Sequence, residues 1–236
     1  MNGALAAFAF LPGLAVGSFL NVVAVRVPER LSIVRPGSSC TSCHAPIVWY
    51  DNIPVVSWLL LRGRCRNCHA AIPVKYPVVE LGTALLVSAC VWRWGATTDA
   101  LVCALFCAVL ITISVTDLER RVIPNLVVLP AAAVVLAART VTHPSPEWAI
   151  AAAAGFLFLL VAALAYPGGL GMGDVKLALL IAVGLDGHAP RALLLGLAFA
   201  ALAGILLLVA RGREGWRRAL PLAPFLTVGA LAALLL

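Results

Sequence analysis

Two aspartates and four cysteines carry the chemistry this chain could do. Asp174 stands in Gly171-Met172-Gly173-Asp174-Val175-Lys176-Leu177, after a backbone break at Tyr166-Pro167-Gly168-Gly169 and before an apolar run to Leu185. Asp117 stands in Thr116-Asp117-Leu118-Glu119-Arg120-Arg121-Val122-Ile123-Pro124-Asn125, where another apolar run meets charge. A carboxylate at the edge of hydrocarbon is costly and marks a functional site by default. Two carboxylates in one site share a proton. One then acts as base on a water and the other as acid toward a carbonyl oxygen, hydrolysing an amide without a covalent intermediate. Such a pair titrates as a unit. Gly171 and Gly173 are expected to let backbone approach closely and to adopt positive φ. Pro124 frees backbone polar groups near the next apolar run.

Each residue also has a plainer role. Asp174 suits a helix cap or a favourable dipole charge. Asp117 could face Arg120 or Arg121 as a solvated charge, and Glu119 competes as the partner of Asp174. Lys176 reads as a snorkelling lysine. Asp51, Glu80, Asp99, Glu147 and Asp186 read as solvent or interface charges.

The cysteines form two knuckles, Cys40-Thr41-Ser42-Cys43 and Cys65-Arg66-Asn67-Cys68. Each can present two thiolates to one tetrahedral ion, and Zn²⁺ favours four in a closed structural site. The loop between them has little apolar core, so a metal could supply folding energy. The alternatives are two disulfides or a redox pair. A cytoplasmic loop disfavours disulfides, and no β-α-β pattern supports redox chemistry. His44 and His69 follow the second cysteine of each knuckle and read as bystanders. Cys90, Cys103 and Cys107 lie in apolar runs and read as small packing residues.

The elements that must position these groups are membrane helices. Of 236 residues, 63% are hydrophobic and 11% charged, where a soluble domain is nearer a quarter charged. The expected fold is an all-α polytopic membrane protein with about eight spans: Gly3–Val25, Val78–Trp92, Ala100–Thr116, Val122–Ala138, Trp148–Tyr166, Asp174–Leu185, Ala192–Ala210 and Leu220–Leu236. The expected divisions are a first span (1–25), a cytoplasmic four-cysteine loop (26–77) and a membrane peptidase domain (78–236). The first span has no basic segment before it, which argues against a cleaved signal peptide. No internal repeat stands out. With the loop inside, Arg26, Arg30, Arg35, Arg62, Arg64, Arg66, Lys75, Arg120, Arg121, Lys176, Arg211, Arg213, Arg217 and Arg218 share its side. Only Arg93, Arg139 and Arg191 face the other. That bias places both termini outside and both aspartates at the cytoplasmic face. The net charge of +7 thus reads as topology, not nucleic-acid binding, and the bilayer is the expected partner. A proton-coupled transporter is the alternative use of paired carboxylates, although no inverted repeat supports it.

Several stretches together resemble the bacterial type IV prepilin peptidases, the bifunctional leader peptidase and N-methyltransferase family. They are Gly17-Ser18-Phe19-Leu20-Asn21-Val22-Val23 with Arg26 and Pro28, the two knuckles, Asn52–Ser57, Leu61–Cys65, Tyr76–Glu80, Asp117 with Ile123-Pro124, and Gly171–Leu177. The resemblance implies cleavage of the basic leader of prepilins and pseudopilins at the cytoplasmic face of the bacterial inner membrane. It also implies methylation of the new N-terminal amine by S-adenosylmethionine. Asp117 and Asp174 match the family's catalytic aspartates, and the knuckles match the segment associated with zinc and methylation. Gly17, Asn21 and Arg26 are candidate cofactor residues. The chain departs from the family at Leu118–Arg121, where many relatives carry a histidine. It departs again at Leu220-Pro221-Leu222-Ala223-Pro224-Phe225-Leu226, which lacks a glycine between the prolines.

Overall fold

Glycines set how closely the helices of this protein pack. The structure, a computed structural model, describes residues 2–165, 170–211 and 220–235. The Tyr166–Gly169 break and the basic residues Arg213, Arg217 and Arg218 lie outside the described residues. Among the described residues there are nine α-helices and no strand beyond two isolated bridges. They are α1 (Asn2–Arg26), α2 (Val56–Leu60), α3 (Lys75–Trp94), α4 (Thr98–Arg120), α5 (Asn125–Thr142), α6 (Glu147–Ala165), α7 (Met172–Leu185), α8 (Ala189–Arg211) and α9 (Ala223–Leu235). Among the described residues, each expected apolar run falls largely on one helix. Five helices, α1, α4, α5, α6 and α8, are long and apolar enough to cross a bilayer. The protein is therefore a multi-pass, all-helical membrane protein. The chain divides into two compact units, Met1–Ala108 and Val109–Leu236.

In the first unit α1 packs along α3. A Cβ on Gly13 would come within 2.7 Å of the Ala84 Cα, and one on Gly17 within 2.6 Å of the Glu80 Cα. Small residues at such crossings let helix backbones approach where no hydrophobic force separates protein from lipid. Gly95, at φ 68°, ends α3. Cys90, Cys103 and Cys107 are buried with their sulfurs within 4.8 Å of one another, and none of them is in a disulfide.

The second unit is built around α7. A 14-residue helix spans only about 21 Å, short of the roughly 30 Å of hydrocarbon. Its side chains from Val175 to Leu185 are mostly buried, and α5, α6, α8 and α9 all touch it. Protein, not lipid, surrounds this helix, which removes the length requirement on a lipid-facing span. The run starting at Val122 becomes helical only at Asn125, because Pro124 is extended at φ −69°, ψ 123° and caps α5. Thr227 on α9 ties that helix to α4. It accepts the Ser114 hydroxyl at 2.8 Å and donates to the Leu110 carbonyl at 3.4 Å.

Candidate active site and metal centre

Helix ends set the two aspartates. Asp117 lies in the last turn of α4 rather than beyond it, and it is buried while Glu119 is exposed. Of the two carboxyl residues at this helix end, Asp117 is therefore the covered one. A carboxylate at a helix C-terminus opposes the helix dipole. The start of α9 offsets this, because the Ala223 N–H donates to Asp117 Oδ2 at 3.0 Å. Asp174 sits in the first turn of α7, where the dipole favours it. It accepts the Gly171 N–H at 3.2 Å through Oδ2 while its own N–H donates to the Gly171 carbonyl at 3.0 Å. This reciprocal cap is the plain role expected of Asp174, and it occupies one carboxylate oxygen. Among the described residues, no other hydrogen bond to either carboxylate is found.

Asp117 and Asp174 lie within electrostatic range of each other, and Arg121 is within range of Asp117. Two contacts join the start of α7 to the segment that follows α4. Ile123 packs on Gly173, where an added Cβ would meet the Ile123 Cβ at 2.9 Å. Lys176 Nζ donates to Asn125 Oδ1 at 2.9 Å, so this lysine bridges α7 to α5 instead of only snorkelling. The expectation of positive φ at Gly171 and Gly173 is corrected. Among described glycines only Gly63 and Gly95 have it. Gly173 is required by close approach, with ordinary helical backbone.

Ala223, Ile123 and Asn125 were not legible as site residues. Two of them act through backbone or shape. The signal available for Ala223 was its place just before Pro224 at a helix start, where N–H groups lack intrahelical partners. The departure from the family's glycine there is harmless to this bond, because the backbone makes it.

The four knuckle cysteines meet. Their sulfurs all lie within 4.8 Å of one another, and Cys40 and Cys68 are 3.7 Å apart. A tetrahedral zinc with Zn–S near 2.3 Å separates its sulfurs by about 3.8 Å, whereas a disulfide would need about 2.05 Å. The donor set therefore fits a closed four-thiolate site. Local structure makes this fit twice. Cys40 N–H donates to Ala45 O and Cys65 N–H to Ala70 O, both at 2.9 Å. His44 N–H returns to Cys40 O and His69 N–H to Cys65 O, both at 3.0 Å. His44 and His69 hold the tight turns at φ 55° and 58°, and bridges Ser39–Pro46 and Arg64–Ala71 close the pair. The knuckles, paired in the sequence, are one short backbone motif used twice. Backbone N–H groups of Cys43 and Ser42 pull the Cys40 thiol down to about 6, whereas at Cys68 the Ala70 N–H is outweighed by burial and the neighbouring sulfurs, which push that thiol up to about 11; a metal requires the thiolate form of each ligand. Asp51 accepts two bonds from Arg66, at 2.7 and 2.6 Å, and this partner lowers its carboxyl below the ordinary value.

Of the candidate cofactor residues, Asn21 and Arg26 line a cavity of about 600 Å³ in the first unit. Asn21 donates to Tyr76 O at 3.2 Å, and Arg26 to Ser32 O and Gly37 O at 3.0 and 3.2 Å. Gly17 is not among the lining residues and serves the α1–α3 contact instead.

Comparison with known proteins gives two family matches. Residues 11–94 match the bacterial peptidase A24 N-terminal domain, and residues 104–209 match the type IV leader peptidase family. The chain is similar to proteins named prepilin leader peptidase/N-methyltransferase. That of Bacillus subtilis is 36% identical over 96% of this chain and 92% of the relative. That of Pseudomonas putida is 36% identical over 94% and 88%. That of Myxococcus xanthus is 40% identical over 90% of this chain but spans only 66% of the relative's own length. No solved structure matches the chain.

Proposed function

This chain belongs to the type IV leader peptidase family, a family of membrane peptidases, and we propose that Asp117 and Asp174 are its catalytic dyad. The proposed substrate is a prepilin or pseudopilin with a basic leader. What supports the reading is that two carboxylates at helix ends lie within electrostatic range of each other, each accepting one backbone N–H. The ionised partner takes a proton from water, and the oxygen attacks the scissile carbonyl. The protonated partner donates to the carbonyl oxygen, and the leaving amine is then protonated as the C–N bond breaks. Close carboxylates cannot both ionise easily, which keeps one proton on the pair.

The four-cysteine loop is proposed to hold a structural zinc, and the chain to act second as an N-methyltransferase. Bound S-adenosylmethionine supplies an electrophilic methyl group. The freed N-terminal amine would take that methyl group, with neutral S-adenosylhomocysteine as the leaving group and the amine proton passing to solvent. The proposed setting is the bacterial inner membrane, with eight spans, both termini outside, and the loop (26–77) and the aspartates at the cytoplasmic face. Residues 1–25 would then be the first span and 78–236 the peptidase domain.

Single Asp117→Asn and Asp174→Asn variants, purified in membranes mimics with a leader-bearing pilin, test the dyad. Each is expected to lose leader cleavage by roughly a thousandfold or more, while retaining methylation of a pre-cleaved pilin. Cleavage within tenfold of the parent in either variant would refute the assignment.

A further inference from the structure

The cavity in the first unit has walls with a specific charge arrangement. It is lined by, among others, Asn21, Arg26, Tyr50, Trp58, Tyr76 and Glu80. Three of its four charged side chains are already engaged. Arg26 donates to backbone carbonyls, and Asp51 and Arg66 neutralise each other at 2.6 Å. Glu80 is 8% exposed. Its Oε2 accepts the Val55 N–H at 2.7 Å, and the Ser18 hydroxyl also reaches it. Among the described residues no lysine or arginine pairs with it. A buried ionised carboxylate needs a positive partner.

The backbone beside Glu80 is unusual as well. Val55 sits at φ 62°, ψ −50°, and Val56 N–H donates to Pro54 O at 2.6 Å. This is a three-residue turn in a region that a β-branched residue rarely enters. Such strained positions persist only where the surroundings hold them, and they collect at ligand sites. Here the holding bond comes from Glu80 itself.

We propose that this cavity binds the methyl donor and that Glu80 is the counter-charge to its sulfonium. The inference rests on the methyl-transfer reading above. A volume of about 600 Å³ falls within the 300–1,000 Å³ typical of small-molecule sites. Tyr50, Trp58 and Tyr76 add aromatic wall to it, and the two tyrosine rings already hold cations, Arg66 at 5.4 Å and Lys75 at 5.0 Å, as electron-rich rings do. After transfer the donor's sulfur is neutral, so Glu80 loses its partner and the spent cofactor is held less tightly.

Calorimetric titration of the purified full chain with S-adenosylmethionine and with S-adenosylhomocysteine reads this directly. The parent is expected to prefer the sulfonium by roughly tenfold or more. Glu80→Gln should abolish that preference while keeping zinc and leader cleavage, and Glu80→Asp should keep it. An undiminished preference in Glu80→Gln overturns the role of Glu80. Ultraviolet crosslinking of radiolabelled S-adenosylmethionine to the parent chain supplies a second measurement independent of any variant. Label on peptides from 18–80 supports the site, and label confined to 109–236 overturns it. A parent chain that cleaves leaders but binds neither compound sinks the methyl-transfer reading itself.

Discussion

Replacing Gly173 by alanine adds one methyl group at the contact that joins the two aspartate-bearing segments. The new Cβ would lie 2.9 Å from the Ile123 Cβ and 3.3 Å from its Cγ1 and Cδ1. The nearest of these is not the free end of a side chain, so rotation of Ile123 cannot relieve the clash. Overpacking of this kind costs about 1–3 kcal/mol. Alanine recovers roughly 0.5–1 kcal/mol through its better helix propensity, so the net loss of stability is modest. The larger effect falls on geometry. Asp174 is the next residue, and a displacement near 1 Å in a reacting group costs on the order of a hundredfold in rate. Leader cleavage, measured as kcat/KM with a leader-bearing pilin, should therefore fall about a hundredfold in a chain that remains folded. The clash is with Ile123, so the double variant Gly173→Ala with Ile123→Ala should regain most of the activity, a coupling that a double-mutant cycle isolates. Gly171→Ala provides the contrast. Its nearest neighbour is Asp174 Oδ2 at 3.3 Å on an exposed site, and a smaller loss is expected. Wild-type cleavage in Gly173→Ala, or no recovery in the double variant, would refute the view that this contact sets the distance between the carboxylates.

Proline at position 223 keeps the first turn of α9, where it is tolerated, but removes the N–H that Asp117 accepts. A hydrogen bond to a charged group is worth about 1.5–3 kcal/mol, so cleavage by Ala223→Pro should drop roughly ten- to hundredfold with the chain still folded. Cys68→Ser should lower zinc from one ion per chain to well below one, measured by metal analysis of the purified protein. The Asp51–Arg66 pair should slow zinc release to a chelator at pH 7, and Asp51→Asn should speed it. The partner lowers the Asp51 carboxyl below its ordinary 3.8. Its stabilisation is therefore complete above that value and disappears as pH falls through the lowered one. The gap between parent and Asp51→Asn in loop stability, followed by amide exchange, should be full at neutral pH and close in strong acid and in high salt.

The sequence alone determined those features whose physical cause is composition or local spacing. Apolar runs gave the helices, because a bilayer forces backbone groups to pair within each segment. Two cysteine pairs marked one four-sulfur cluster, since a tetrahedral ion needs four donors at fixed chemistry. Asp117 and Asp174 stood out because charge is rare at the edge of hydrocarbon. The tertiary structure decided what joins those residues. Asp117 and Ala223 are 106 positions apart, and a backbone N–H looks the same at every residue, so nothing in the letters marks the donor. The fit of Ile123 on Gly173, the burial of α7 by its neighbours, and the bond from Val55 to Glu80 likewise depend on shapes that exist only once the chain has packed. Spacing along the chain can announce a reactive group, whereas the partner that aims it is chosen in three dimensions.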